Sequence, residues 1–410
     1  MTITREADEA DFALRQRAEA VGSALRSALA ELVQAVESGG ARDQRDYQSV
    51  LHIGQSAVSR LLAAVRSGDP LTTLVCVPGR SVLGQMLQGA ARSRLDRDLV
   101  ARASAAVQVF EDFVDREFGD RASLDIVLGE WVLESRAQLE LRQRAMAYKT
   151  MAALRGVQAD LVLSAGILVP SRTAPGLHDG LAIEALLGCR RLKPSGVLRL
   201  NFQSMASDLA QHRPRSPAGQ ETDGLAGLLL HPHSTVRAEQ ISSVRQQRLI
   251  QTTVHGLPLS RQQGPGQDIV HARDYHAAHR ARRGDGGPTS GMAAHAEPPT
   301  ACCVIDALLH DDVWPGVVPE PLCYDTVVRG IAHPDDPTRA GDRLELHEQA
   351  QFLGHGPEAF RLPEFSGYPA LIREVCAARD WDPARLRGWR LKVPYPVYGA
   401  QLALAFQLPA

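Results

Sequence analysis

The sequence predicts an all-α N-terminal domain over residues 1–156, followed by an α+β C-terminal domain over residues 157–410. Three observations lead there. At 410 residues the chain exceeds what one ordinary hydrophobic core organises. As far as Arg155 the apolar side chains recur at spacings of three and four, the period of an amphipathic helix. Beyond Gly156 they come in short runs bounded by Gly and Pro, as strands do.

The first helix is carried by Leu14, Ala18, Val21, Leu25, Leu29, Leu32 and Val36, and Gly39-Gly40 stops it. Helices are expected next over 43–51 and 55–66, the latter closed by Ser67-Gly68-Asp69-Pro70, where Gly and Pro end a helix. Pro78-Gly79 breaks the chain before a helix over 81–91. Val100, Ala103, Val107, Phe110, Val114 and Phe118 form the stripe of a long helix. Ser123 is the expected N-cap of a last helix that runs to Arg155. In the C-terminal domain, strands are expected at 161–163, 167–169, 197–202, 302–309, 324–328, 344–347, 389–393 and 402–406, with one amphipathic helix at 369–379. Residues 255–300 contain Gly264-Pro265-Gly266, Gly284 and Gly286-Gly287-Pro288 and few large apolar side chains, and read as a flexible loop.

Composition is that of a soluble globular protein, with 44% hydrophobic and 22% charged residues. A formal charge of −2 supplies no global attraction to polyanions, so any nucleic-acid contact must come from a local patch. No apolar stretch follows a basic start and no run is long enough to span a bilayer, so neither signal peptide nor membrane span is expected, and the cytoplasm is. None of the six cysteines forms a CxxC pair, which points to reduced thiols rather than zinc or a disulfide framework.

The segment Tyr47 to Leu62, YQSVLHIGQSAVSRLL, has the pattern of a helix-turn-helix within residues 43–66. Tyr47 and Leu51 lie one turn apart on the first helix. Ile53 plugs the turn, and Val58 and Leu61 face back from the second helix. Gln55, Ser56, Ser59 and Arg60 are left pointing outward near the start of the second helix, the end that such a fold places in the major groove. Gln and Arg make bidentate contacts to adenine and guanine edges, and Ser serves base or phosphate. From Arg42 to Arg66, four arginines (Arg42, Arg45, Arg60, Arg66) outnumber Asp43 and Asp46.

The segment resembles the helix-turn-helix of phage repressors, and GQSAVSRLL also resembles LysR- and MarR-type regulators. The resemblance implies, position by position, that Gln55, Ser56, Ser59 and Arg60 contact bases or phosphates. It covers the helix-turn-helix alone. Gln48 stands where those families have a small residue, and His52 where they favour Gly in the turn, although His tolerates a left-handed conformation better than most residues. A second resemblance covers most of the chain. SGDPL with VPGR, GDRASLDIVLGEW, LLHDDVWPG and WDPARLRGWR with YPVYGAQ resemble segments of a group of bacterial proteins that pair an N-terminal helix-turn-helix with a larger C-terminal region. That implies the domain order and no activity.

In the C-terminal part, His310-Asp311-Asp312 lies near His333, Asp335, Asp336, His347 and His355 in sequence, residue types that bind Zn²⁺, Mn²⁺ or Fe²⁺. Asp335-Asp336-Pro337 also reads as turn chemistry. Cys302 and Cys303 point to opposite faces of a strand and have no basic neighbour, so they read as buried thiols. His271, His276, His279 and His295, with Arg273, Arg280, Arg282 and Arg283, form a basic stretch that reads as a solvated linker or a nucleic-acid tail. Trp389, Tyr395 and Tyr398 either pack the last strands or line a ligand pocket. No dinucleotide fingerprint, P-loop or nucleophile elbow occurs, and nucleotide-dependent and α/β-hydrolase readings lose support. The expectation is a DNA-binding, transcriptional-regulator-like protein whose C-terminal domain senses a small-molecule effector, forms a homodimer, or both. Its partner is double-stranded DNA, and no catalytic residue, metal or cofactor is assigned. The alternatives are a metal-dependent hydrolase in the C-terminal domain and a non-enzymatic protein-interaction scaffold.

Overall fold

The computed structural model describes residues 2–93, 95–203, 213–246, 249–259, 263–283 and 287–410. The chain divides into two compact units, Met1–Arg142 and Gln143–Ala410. The first is helical and the second is mostly β. Among the described residues no helix is long and apolar enough to cross a membrane.

The helices are α1 (Thr2–Ser38), α2 (Gln44–Leu51), α3 (Gln55–Arg66), α4 (Pro70–Cys76), α5 (Arg80–Arg92), α6 (Arg97–Glu117), α7 (Arg121–Trp131) and α8 (Leu133–Arg155). Leu25, Leu29, Leu32 and Val36 of α1 are buried where that helix packs on α4 and α6, so the stripe read from the sequence is the core-facing one. Pro70 closes one helix, as expected, and also opens another. It occupies the first turn of α4, where its missing N–H costs nothing, and the Asp69 carboxylate accepts the Thr72 N–H at 2.7 Å. The expected last helix is in fact two, interrupted at Val132. Its cap is Asp120 rather than Ser123, whose N–H donates to the Asp120 carboxylate at 2.8 Å. Secondary structure changes at Gly156, whose φ is +73°, while the compact units divide earlier, within α8. The last turns of α8 belong to the β unit, where Tyr148 packs on Tyr395 with ring centroids 5.5 Å apart.

The second unit contains β1 (Val157–Gln158), β2 (Leu161–Pro170), β3 (Leu177–Arg191), β4 (Leu198–Gln203), β5 (Ile241–Gln246), β6 (Leu249–Val254), β7 (Gln267–Arg280), β8 (Thr289–His295), β9 (Cys302–His310), β10 (Glu320–Tyr324), β11 (Gln351–His355), α9 (Tyr368–Ala378), β12 (Leu386–Pro394) and β13 (Gln401–Gln407). A large mixed sheet runs β1-β3-β2-β9-β12-β11, with β7 on the other edge of β3, and among the described residues only the β2–β9 strand pairing is parallel. Two antiparallel sheets, β10-β13-β8 and β4-β6-β5, complete the unit. Alternation sorts the large sheet into two faces. Leu161, Leu163, Ala165 and Ile167 share one core with Leu371, Ile372 and Val375 of α9. Val162, Leu168, Ile305 and Leu309 share the other with Leu402, Leu404 and Phe406 of β13.

Four expectations need correction. Among the described residues the α+β domain is a mostly β unit with a single α-helix beyond α8. The stretch 255–300 is not one continuous loop: among its described residues lie β7 and β8, built largely from small, His and Arg residues whose alternation low hydrophobicity hides. The runs 161–163 and 167–169 form one strand, because Gly166 continues the ladder where a Cβ would meet the Met292 sulfur at 2.4 Å. The strands expected at 324–328 and 344–347 are displaced, to β10 and β11. β3 carried no strand signal, since its Ala, Leu and Glu residues favour helix in isolation.

The helical unit depends on two close backbone approaches. A Cβ at Gly22 would lie 2.2 Å from the Pro70 carbonyl oxygen, and one at Gly89 would lie 2.3 Å from that of Leu51. We predict that Gly89→Ala lowers the stability of the helical unit by about 1–3 kcal/mol. Gly84→Ala, on the same helix with nothing within 4 Å, should instead raise it by about 0.5–1 kcal/mol. Chemical denaturation followed by circular dichroism distinguishes the two signs.

Candidate functional site

The α2–α3 pair is built by local chemistry. Asp43 caps α2, accepting the Arg45 and Asp46 N–H groups at 2.8 and 3.1 Å. His52 ends the helix in the left-handed region at φ +53°, the conformation for which Gly is otherwise preferred. Ile53 is buried in the turn and Gly54 caps α3. Tyr47, Leu51, Val58 and Leu61 are all buried, whereas Gln55, Ser56 and Ser59 are exposed. Gln44 links the exposed side chains: its amide donates to the Ser59 hydroxyl at 3.2 Å, and its carbonyl accepts from Gln55 at 3.4 Å. Gln48 folds back along its own helix, donating to the Gln44 carbonyl.

Arg60 has a different environment. Its half-buried guanidinium turns to its own chain, donating to the carbonyls of Cys76 at 3.2 Å and Val77 at 2.9 Å. Arg121 donates to Leu74 and Val75, so two arginines satisfy the orphan carbonyls at the end of α4. Burial, with Arg121 and Arg142 nearby, lowers the Arg60 pKa from its ordinary value. Arg42, Arg45 and Arg66 are exposed.

Of the sequence-selected His and Asp residues of the C-terminal unit, His310, Asp311, Asp312 and His355 come together around Arg385, while Asp335 and Asp336 serve other contacts. Asp311 and Asp312 face Arg385 at 3.6 and 3.2 Å, while His355 and His310 approach them at 3.5 Å. Asp335 accepts the Thr289 N–H, and Asp336 caps a short turn at Thr338. Among the described residues no group of three or more His, Cys, Asp or Glu side chains is arranged to hold a metal ion. Cys302 and Cys303 are both buried on opposite faces of β9, and burial pushes the Cys302 thiol up to about 11 and that of Cys303 further.

A cavity of about 920 Å³ lies within the β unit, lined by residues of β2, β3, β7, β8 and β13. Ser164, Glu184 and His271 form a cross-strand row on its wall. Arg273, two residues along β7, donates to Glu184 Oε1 at 2.5 Å, and His271 Nε2 lies 3.3 Å from Oε2. Burial alone would raise the Glu184 carboxyl. Arg273 and His271 outweigh it and hold that carboxyl well below the usual carboxylate range. Glu184 stands between Ser164 and His271, and the Ser164 hydroxyl donates to the Ala293 carbonyl at 3.3 Å. A hydrolytic relay needs the imidazole between nucleophile and carboxylate, so this row is not one.

The supposed linker residues His271, Arg273 and His279 therefore line a cavity, joined by Tyr398 from the aromatic C-terminal segment. Trp389 packs on Phe352 and Tyr395 on Tyr148. Glu184 was missed altogether. Its signal was a single charge inside the apolar run Leu181–Leu187, and for β7 it was the alternation of His271, Arg273 and Tyr275.

Comparison with known proteins gives no match: no family model, curated protein or solved structure aligns with this chain.

His279 supplies a pH test. Burial, reinforced by the adjacent His178, holds its pKa down at about 4. Between pH 6.5, the ordinary imidazole value, and 4, the unfolded chain binds a proton that the folded chain refuses, so stability falls as pH drops through that window. Thermal melts should show this fall in the wild type and a shallower one in His279→Gln; equal slopes would contradict it.

Proposed function

We propose that the chain is a DNA-binding, transcriptional-regulator-like protein in which α2 and α3 act as a helix-turn-helix. The observation that carries this reading is the asymmetry of α3: Val58 and Leu61 are completely buried, while Gln55, Ser56 and Ser59 at its N-terminal end stand in solvent. A recognition helix has that form, because its inner flank holds it on the scaffold and its outer flank enters the major groove. Gln55 is the base reader, suited to a bidentate contact with adenine, and Ser56 and Ser59 serve base or phosphate. Arg60 acts one step back, holding the end of α4 beneath the reading helix. Arg42, Arg45 and Arg66 supply the phosphate contacts. The C-terminal unit serves sensing or dimerisation, and a homodimer would present two copies of α3 to successive major grooves. Such a role belongs in the cytoplasm.

Titration of the full-length protein against a pool of duplex DNA over a series of salt concentrations tests the proposal. Three phosphate-binding arginines give a slope of log K against log salt of about −2.7. Gln55→Ala combined with Ser59→Ala should weaken the preferred site by about 10-fold and leave the slope unchanged. Absence of salt-dependent binding, or affinity indifferent to the double substitution, overturns the assignment.

A further inference from the structure

We infer that the β unit is a receptor for an uncharged, largely apolar small molecule bearing a hydroxyl group, which sits in the cavity between the sheets with its hydroxyl at Glu184. This stands apart from DNA binding, because the cavity is complete within Gln143–Ala410.

Protein interiors leave few voids larger than a water molecule, and about 920 Å³ is the size of a small-molecule site. Small residues keep it open: Gly180 and Ala182 on β3 and Gly291 and Ala293 on β8 all line it. Leu168, Leu186, Leu200 and Leu404 make much of the remaining wall apolar.

The Glu184 carboxylate and the Arg273 guanidinium cancel, and the other charged lining residues, Arg280 and Glu297, are one of each sign, so the wall has a local dipole at Glu184 and no net charge. Beside that pair a ligand carboxylate would be desolvated against Glu184 and a ligand ammonium against Arg273, and neither would gain a new counter-charge there. Uncharged ligands avoid both penalties.

A carboxylate accepts at about four lone-pair positions. Arg273 and His271 occupy one site on each Glu184 oxygen, and 28% of that side chain remains accessible at the cavity wall. From β8, His295 also lines the cavity, and its Nε2 is buried without a hydrogen-bond partner among the described residues. Burial lowers the His295 pKa, so the ring is neutral, with Nε2 a donor or an acceptor according to tautomer. A hydroxyl both donates and accepts. It satisfies the carboxylate as donor and meets His295 in either tautomer.

The test uses the full-length protein without DNA and three probes with one alkyl tail: decanol, decanoate and decylammonium. Calorimetry should show decanol binding and raising the melting temperature, with both charged probes at least about 10-fold weaker. Ala182→Phe projects a ring into the cavity beside Glu184 and removes no polar contact, so it should weaken decanol binding at least about 10-fold while leaving the far-ultraviolet dichroism unchanged. Glu184→Gln leaves the Arg273 charge uncompensated and should invert the preference, placing decanoate about 10-fold ahead of decanol. The inference is overturned if decanol does not bind, if a charged probe matches it on the wild type, or if Ala182→Phe binds decanol as the wild type does. The Ala182 result decides the matter should the Glu184 variant not fold, and a failure to bind DNA leaves all of these outcomes standing.

Discussion

The large sheet of the β unit must hide two faces, and two different covers share that task. Its central strand β9 is buried along nearly its whole length, which requires apolar partners above and below. Helix α9 closes one side with Leu371, Ile372 and Val375. On the same side Asp306 of β9 is fully buried, and the Arg390 guanidinium grips it at 2.8 and 2.7 Å. The three-stranded sheet containing β13 closes the other face around β9. Toward β3 and β7 that cover leaves a void, and the polar side chains of those strands are gathered there. An unpaired charge on a buried face would be severely destabilising, so Glu184 requires Arg273, and each strand supplies one member of the pair. Fold and cavity therefore follow from one constraint.

The helical unit solves a smaller problem by similar means. Helix α4 is short, and its terminal carbonyls would be orphans without Arg60 and Arg121. Using Arg60 in this way ties α3 to the end of α4 and leaves Gln55, Ser56 and Ser59 as its uncharged exposed edge. An edge of that kind suits base recognition more than bulk attraction to phosphate, in keeping with a chain whose formal charge is −2.

Where one residue type has one dominant physical consequence, the sequence was readable. The stripe Leu25, Leu29, Leu32 and Val36 marked the buried face of α1, and Ile53 marked the turn between α2 and α3. The exposure of Gln55, Ser56 and Ser59 followed from the same periodicity. Residues whose meaning depends on distant partners were not readable. Arg60 lies at an outward position by periodicity, yet the end of α4 captures it. Pro70 ends one helix and starts another because Asp69 precedes it. Residues 267–280 resemble a solvated tail until β3 pairs with them and turns alternate side chains inward. Long-range strand pairing carries little local signature, and for that reason the cavity residues escaped notice while the helix pair did not.

The central claim is that α3 meets DNA through its exposed N-terminal edge. Hydrogen exchange of the full-length protein, with and without saturating duplex DNA, measures this directly. The account predicts that added protection is concentrated in the peptides spanning residues 44–59, with the strands of the β unit unchanged. Protection that spares those peptides, or that falls on the β unit alone, would contradict it.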